Sequence, residues 1–208
     1  MRSRLKIALG LLAVAIATNR ARTQDSASAA KDSLPFHKGQ WAAQFTAGTT
    51  FSNAGVLYFR SPANAWIATI SASYERSSNR EDSSSLGPGM TVDTRASSAT
   101  LRFGTRHYSS MGKSTALFTT FGVLGTGGSS TVSSSGGGSG KTSTFGGGVF
   151  GELGANYMIT RHLSLGASAG IQAIYQSNWS SDDFGESRTG HDFLISGALL
   201  ALTLGVYF

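Results

Sequence analysis

Residues 200–208 read Leu-Ala-Leu-Thr-Leu-Gly-Val-Tyr-Phe. Leu200, Leu202, Leu204, Val206 and Phe208 recur at every second position, and Ala201, Thr203, Gly205 and Tyr207 fill the gaps between them. A period of two puts successive side chains on opposite faces of an extended strand, so this segment has one apolar face and one face of small or polar groups. The same phase runs back through Ala198 to Leu194, which gives a closing strand from about residue 192 to the end.

Seven further strands share this period. Near 40–51, Trp41, Ala43, Phe45, Ala47 and Phe51 oppose Gln40, Gln44, Thr46 and Gly48, and a short strand follows near 55–60. Near 65–76, Trp66, Ala68, Ile70, Ala72 and Tyr74 oppose Thr69, Ser71, Ser73 and Glu75. Near 96–108, Ala99, Leu101, Phe103 and Thr105 oppose Thr100, Arg102, Gly104 and Arg106. Near 115–126 the better apolar face is Leu117, Thr119, Phe121 and Val123, blurred by Phe118 and Leu124 on the other. Near 144–158, Phe145, Val149, Leu153 and Tyr157 oppose Gly146, Gly148, Glu152, Gly154 and Asn156. Near 162–176, Leu163, Leu165, Ile171 and Tyr175 oppose Ser164, Gly166, Ser168, Gly170 and Gln172. Helical spacing appears nowhere after residue 40.

Connector lengths alternate with the strands. The links at 61–64, 109–114 and 159–161 are short, whereas 77–95, 127–143 and 177–191 are long and rich in Ser, Gly and Asp. The first hairpin, near Ser52 to Ala54, is short on the side of the long loops. Short turns at one end and long loops at the other predict an all-β fold, an eight-stranded antiparallel up-and-down transmembrane β-barrel, with turns in the periplasm and loops outside the cell. Within the middle loop, Ser129 to Gly140 (SSTVSSSGGGSG) reads as a flexible low-complexity tract without a fold of its own.

Composition agrees and removes other classes. The 208 residues contain no Cys, which excludes a disulfide framework, a thiolate metal site, an iron–sulfur cluster, a thiol nucleophile and a lipidated-cysteine anchor. Only 13% of residues are charged, too few for an ordinary soluble surface, and 27 are Gly, which suits closely packed or strongly bent β structure. The net charge of +6 suggests nucleic acid, but Arg2, Arg4 and Lys6 precede the apolar run Ile7 to Ala17, the layout of a secretory signal peptide. That run is too short to span a bilayer as a helix. Cleavage is expected after Ala17, Ala21 or Ala29, and any of these removes the three charges and leaves no basic block, so nucleic acid is not an expected partner. The expected organisation is a signal peptide and leader over 1–29, a periplasmic N-terminal segment over 30–39, and the barrel over 40–208.

Alternation alone does not say which face meets lipid, since a soluble barrel also alternates. A soluble barrel would clothe its outside in Lys and Glu, whereas the polar face here is Ser, Thr, Gly and Gln, small enough for a crowded lumen. Aromatic residues bracket the apolar stripes on the same face: Trp41 with Phe51, Trp66 with Tyr74, Phe145 with Tyr157. At ~3.4 Å per residue and ~40° tilt these pairs span roughly 21 to 31 Å, close to the ~25 Å apolar band between the girdles of a membrane barrel. The apolar face is therefore predicted to point outward.

The closing Leu202-Thr-Leu-Gly-Val-Tyr-Phe208, with Leu204, Val206 and Phe208 in phase, resembles the C-terminal signature of bacterial outer-membrane β-barrels, whose terminal aromatic is read by the barrel-assembly machinery. With the signal peptide and eight strands, the mature chain is similar to the small OmpX/OmpA-type barrel-domain family. The resemblance implies location in the outer membrane of a Gram-negative-type bacterium, outer-membrane lipid and the assembly machinery as partners, and no cofactor. It covers structural barrels, adhesion or resistance factors and a few lipid-modifying enzymes, and it names no particular extracellular partner.

An eight-stranded barrel is just wide enough for side chains to fill, which disfavours a diffusion pore. Gln44, Ser71, Glu75, Arg102, Arg106, Glu152 and Gln172 are predicted to project inward, where charges are tolerable only if paired. The expected lumen network comprises Arg102, Glu152, Arg106 and Glu75, with Arg102 and Glu152 as the central pair because both sit at similar counts from their turns. The sharper alternative is a narrow ion path through the network. A non-enzymatic barrel that supports membrane integrity or surface interaction is the function this composition favours.

The strongest enzyme candidate is His107-Tyr108-Ser109, since positions i and i+2 share a face and a His-x-Ser pair faintly resembles the outer-membrane lipid A deacylases. Those enzymes follow the Ser with Asn where Ser110 stands here, and the short turn places the pair away from outer-leaflet lipid. Ser180-Ser181-Asp182-Asp183 with Glu186, His191 and Asp192 lacks the register of a calcium loop, so a solvated acidic loop is expected and no metal. Gly146-Gly147-Gly148 is followed by neither Lys-Ser/Thr nor a helix, so close strand packing explains it better than phosphate binding. Arg161 and His162 sit at a short turn, where a solvated role is the default and lipid headgroups or periplasmic partners the alternative.

Overall fold

The computed structural model describes residues 34–48, 52–81, 90–112, 114–136, 138–182 and 187–208. The expected signal peptide and leader, the start of the 30–39 segment, and Phe51 lie outside the described residues. Eight strands follow in order: β1 (Trp41–Gly48), β2 (Ser52–Ser61), β3 (Asn64–Glu81), β4 (Met90–Ser110), β5 (Thr115–Ser134), β6 (Ser139–Thr160), β7 (Leu163–Asp182) and β8 (Ser187–Tyr207). Each pairs with its sequence neighbour, and the sheet closes as a barrel. Closure is antiparallel, from Ala42 opposite Tyr207 to Gly48 opposite Ala201, and the Phe208 N–H donates to the Trp41 carbonyl at 2.9 Å. A closed ladder leaves no edge in the bilayer and satisfies the backbone without water, which is the condition for spanning with strands.

The face assignment follows the alternation. Trp41, Phe45, Trp66, Ile70, Phe103, Phe121, Val149, Leu165, Leu202 and Phe208 are exposed on the outside, while Gln44, Thr46, Thr69, Arg106, Thr120, Asn156, Ser164 and Thr203 are buried within. Such a surface is intolerable in water and suited to hydrocarbon. Phe118 and Leu124, the residues that blur β5, point inward, leaving Leu117, Phe121 and Val123 outside.

The structure corrects three expectations. First, most of the long loops are strand. β5 and β6 stay paired as far as Ser133 opposite Ser139, so the Ser/Gly tract 129–140 is largely ladder closed by a turn at Ser135 and Gly136. Backbone pairing needs no apolar side chains once a neighbouring strand presents its edge, so Ser and Gly continue it. Second, β2 begins at Ser52, and it and β1 are short: β1 has 8 residues and β2 10, against 18 to 22 in the other six, so the wall is taller on one side. Third, the register between β7 and β8 shifts between Gly170 and Gln172. A bulge reverses the phase, so upstream of it Phe193 and Ile195 stand opposite Tyr175 and Ala173 on the outer face. Leu194 stands opposite Ile174, out of phase with Leu200 rather than in phase with it.

The turns at the other end are tight. Asn64 Nδ2 donates to Ser61 Oγ at 3.1 Å, the His162 N–H donates to Thr160 Oγ1 at 3.2 Å, and Gly112 adopts a φ of 125°, open to glycine but strained for other residues. At this end residues before β1 turn into the barrel. The Gly39 N–H donates to the Phe59 carbonyl at 2.8 Å, and the Phe59 N–H to the Gln40 carbonyl at 2.9 Å, which lays the segment along β2.

Candidate functional site

The lumen is where this fold gathers its polar chemistry, and it is filled in layers. The lowest layer, at the short-turn end, is apolar. Phe36, from the segment before β1, is buried with its ring 4.7 Å from those of Phe59 and Tyr108 and 5.4 Å from that of Tyr207. Phe118 joins at 5.9 Å from Tyr108, and Leu57, Ile67 and Met158 complete the cluster. These rings form a stopper across the barrel end, and they account for the apolar residues on the inner faces of β2 and β5.

Above the stopper lies Arg106, whose side chain has no exposed surface. Its guanidinium carbon sits 3.9 Å from the Phe118 ring centroid, a cation–π contact in a desolvated setting. Nε donates to Thr120 Oγ1 at 2.8 Å, Nη1 to Gln44 Oε1 at 2.8 Å, and Nη2 to Glu152 Oε2 at 3.0 Å. Register explains the pairing: Arg106 stands opposite Thr120, and Thr120 opposite Glu152, so the three lie in one cross-strand row. Two strand spacings, roughly 10 Å, are within the combined reach of Arg and Glu.

The expected central pair of Arg102 with Glu152 is thus corrected: the bridge to Glu152 comes from Arg106. Counting residues from the turns ignored strand tilt, which makes paired rows climb around the barrel. Arg102 instead donates from Nη2 to Gln172 Oε1 at 2.7 Å, across the lumen from β4 to β7, and lies 5.4 Å from the Phe150 ring centroid. It still shares with Glu152 a small cavity of about 20 Å³, the size of one water molecule, which Gln44, Thr46, Asn53 and Thr69 also line. Glu75 does not join the network: it is exposed on the upper stretch of β3, and from Ala65, which stands opposite Arg106, it is roughly 34 Å along the strand. Gly104 and Gly122 face each other beside Phe150, and a side chain at Gly122 would meet the Phe150 ring.

The other candidates are dispersed. His107 and Ser109 face outward near the short-turn end, where His107 Nδ1 donates to Asn64 Oδ1 at 3.0 Å. Of the acidic loop, His191 and Asp192 lie within β8, with His191 Nδ1 at 2.9 Å from Ser177 Oγ and Asp192 accepting from Asn178 Nδ2 at 2.5 Å. Asp183 and Glu186 lie outside the described residues. Gly146, Gly147 and Gly148 are inside β6, where a Cβ at Gly148 would strike the Ala173 carbonyl, so close strand approach accounts for that glycine. Arg161 and His162 are exposed in their turn. Trp41, Trp66, Tyr74, Phe145 and Tyr157 of the expected girdle all stand exposed on the outer face, as do Leu204 and Phe208 of the closing series; Val206 is partly covered. The sequence reading missed Phe36, Phe59 and Thr120; the Leu34-Pro35-Phe36 run before β1 was the available signal for the first.

No protein-family model and no curated protein matches the chain. Solved structures do. It is similar to a major outer membrane protein from Thermus thermophilus at 15% identity and a TM-score of 0.53, over 83% of this chain and 100% of that one. It is also similar to the outer membrane protein OprG from Pseudomonas aeruginosa at 13% identity and a TM-score of 0.51, over 84% of this chain and 99% of that one. At such identities the likeness speaks for the fold, and it agrees with a closed ring of eight strands, apolar outside and polar within. In fold, the chain is a closed eight-stranded antiparallel β-barrel, similar to these small outer-membrane β-barrel proteins.

Proposed function

We propose that the protein is a non-enzymatic outer-membrane barrel that acts through its outer wall and its tall, loop-bearing rim, with a lumen that holds the barrel together and conducts nothing. The observation that carries this reading is the stacking of closures along one axis: the Phe36 stopper, the Arg106 layer with Gln44, Thr120 and Glu152, and the Arg102 to Gln172 bridge above it. The guanidinium donors in these layers meet acceptors and rings, the arrangement expected of a structural network. In this reading the short turns face the periplasm, the assembly machinery recognises the closing strand, and the extended β3–β8 wall presents polar side chains to external partners. The lipid-modifying alternative has less support, because His107 is engaged with Asn64 at the short-turn end.

Planar-bilayer recording of refolded protein tests the sealed lumen: the expected result is insertion without steady conductance, and a stable ohmic channel would refute it. Mass spectrometry of lipid A from cells carrying the wild type or His107→Ala with Ser109→Ala should give identical spectra; a change in acylation between them would make the protein an enzyme.

A further inference from the structure

The outside of the barrel is not uniform. Across β1–β5 the lipid-facing wall is hollowed into an open groove of about 790 Å³, within the size range of sites that take small apolar ligands. Two adjacent cross-strand rows build it. One row runs Ala43, Val56, Ala68 and Phe103 and the other Phe45, Ala54, Ile70 and Leu101, so the three alanines are the low points of a floor from which the larger side chains rise. The next row towards the short-turn end is aromatic: Trp41 stands opposite Tyr58 and Tyr58 opposite Trp66, with the Trp41 and Tyr58 rings 4.9 Å apart. Trp66 in turn meets Phe103 edge to face at 5.3 Å. Beyond this row comes a cation: Arg60 lies 5.6 Å from the Trp66 ring centroid and is exposed, with the His107 and Asn64 pair beside it on the strands that follow.

We propose that this wall retains one anionic phospholipid, its acyl chains in the groove, its glycerol region against Trp41, Tyr58 and Trp66, and its phosphate on Arg60. The order of rows matches the order of chemistry along such a molecule: hydrocarbon, amphipathic interface, anion. Charge complementarity selects the headgroup. Among the described residues the short-turn end carries Lys38, Arg60 and Arg161 and no Asp or Glu side chain outside the lumen, whereas the longer, opposite portion of the wall carries both signs, Glu75, Asp93 and Asp192 together with Arg76, Arg95, Lys141 and Arg188. A guanidinium held against an indole face is pre-positioned for bidentate contact with a phosphate oxygen pair. The site goes beyond the sealed-barrel reading and depends on it only for the outward face being in lipid.

The test is native mass spectrometry of detergent-refolded protein titrated with phosphatidylglycerol or with phosphatidylcholine of identical acyl chains. Wild type should retain a single phosphatidylglycerol at least tenfold better than phosphatidylcholine. Arg60→Gln should reduce that preference at least fivefold, Arg161→Gln should leave it intact, and Ala54→Phe, which fills the floor, should weaken both lipids alike. Should Ala54→Phe fail to fold, dihexanoyl phosphatidylglycerol in the wild type replaces it and should bind at least tenfold more weakly than the long-chain lipid. Equal retention of both lipids by the wild type, a loss of preference in Arg161→Gln as large as that in Arg60→Gln, or a dimer filling the groove in place of lipid would overturn the proposal.

Discussion

Replacing Glu152 with Gln tests the lumen network at its most sensitive point. The substitution keeps shape and one acceptor but removes the carboxylate bonded to Arg106, whose side chain has no exposed surface while that of Glu152 keeps 19%. A buried guanidinium left with only neutral partners costs about 3 to 5 kcal/mol, and the retained amide acceptor puts the expectation at the lower end, about 3 kcal/mol. Arg106→Met removes the charge, the bonds to Gln44 and Thr120 and the contact with Phe118, and leaves a carboxylate that water can still reach, so about 3 kcal/mol is expected there too. The double variant lacks both charges and should lose about 4 kcal/mol, giving a coupling of about 2 kcal/mol. Urea unfolding in detergent micelles or vesicles, followed by heat-modifiable gel mobility, supplies the four free energies. Losses that add to within about 0.5 kcal/mol would refute the pairing, as would a larger coupling for Arg102→Met with Glu152→Gln.

Three further outcomes follow from the packing. Phe36→Ala should destabilise by about 3 to 5 kcal/mol in the same assay, because its ring stacks within the aromatic cluster; a loss under about 1 kcal/mol would mean that the segment before β1 is not part of the barrel. Gly122→Val should prevent assembly, since any side chain there meets backbone of β4 and the Phe150 ring, and normal gel mobility would contradict it. Ile195→Arg should destabilise by about 1 to 2 kcal/mol more than Leu194→Arg, because the bulge turns Ile195 to lipid and Leu194 away from it; the reverse order would restore an unbroken strand.

Strand alternation was legible because one face of each strand meets hydrocarbon and the other a crowded lumen. It blurred at Phe118, where the lumen itself is apolar and the inner face no longer differs from the outer, and at Leu124, a single apolar side chain turned inward opposite Arg102. The extension of β5 and β6 through Ser and Gly was not legible, since a strand beyond the bilayer needs no apolar face and its composition matches a loop. The partner of Glu152 depended on register between strands, which a single strand's pattern does not encode, and the bulge in β8 hid behind Leu194, an apolar residue on the wrong face. Phe36 escaped because it precedes the first alternating segment, and only the fold brings it back beneath Arg106.

The central claim, a barrel whose outer face meets lipid and whose inside is sealed, is tested most directly on β5, where the sequence pattern is weakest. The chain has no cysteine, so single cysteines placed in turn at 117, 118, 119, 121, 123 and 124 can each carry a nitroxide without further engineering. In bilayers, labels at 117, 119, 121 and 123 should be relaxed by oxygen and not by an aqueous nickel chelate, and labels at 118 and 124 should be shielded from both. Relaxation of the first set by the nickel chelate, or of the second set by it, would contradict the account, the former by placing the outer wall in water and the latter by opening the lumen.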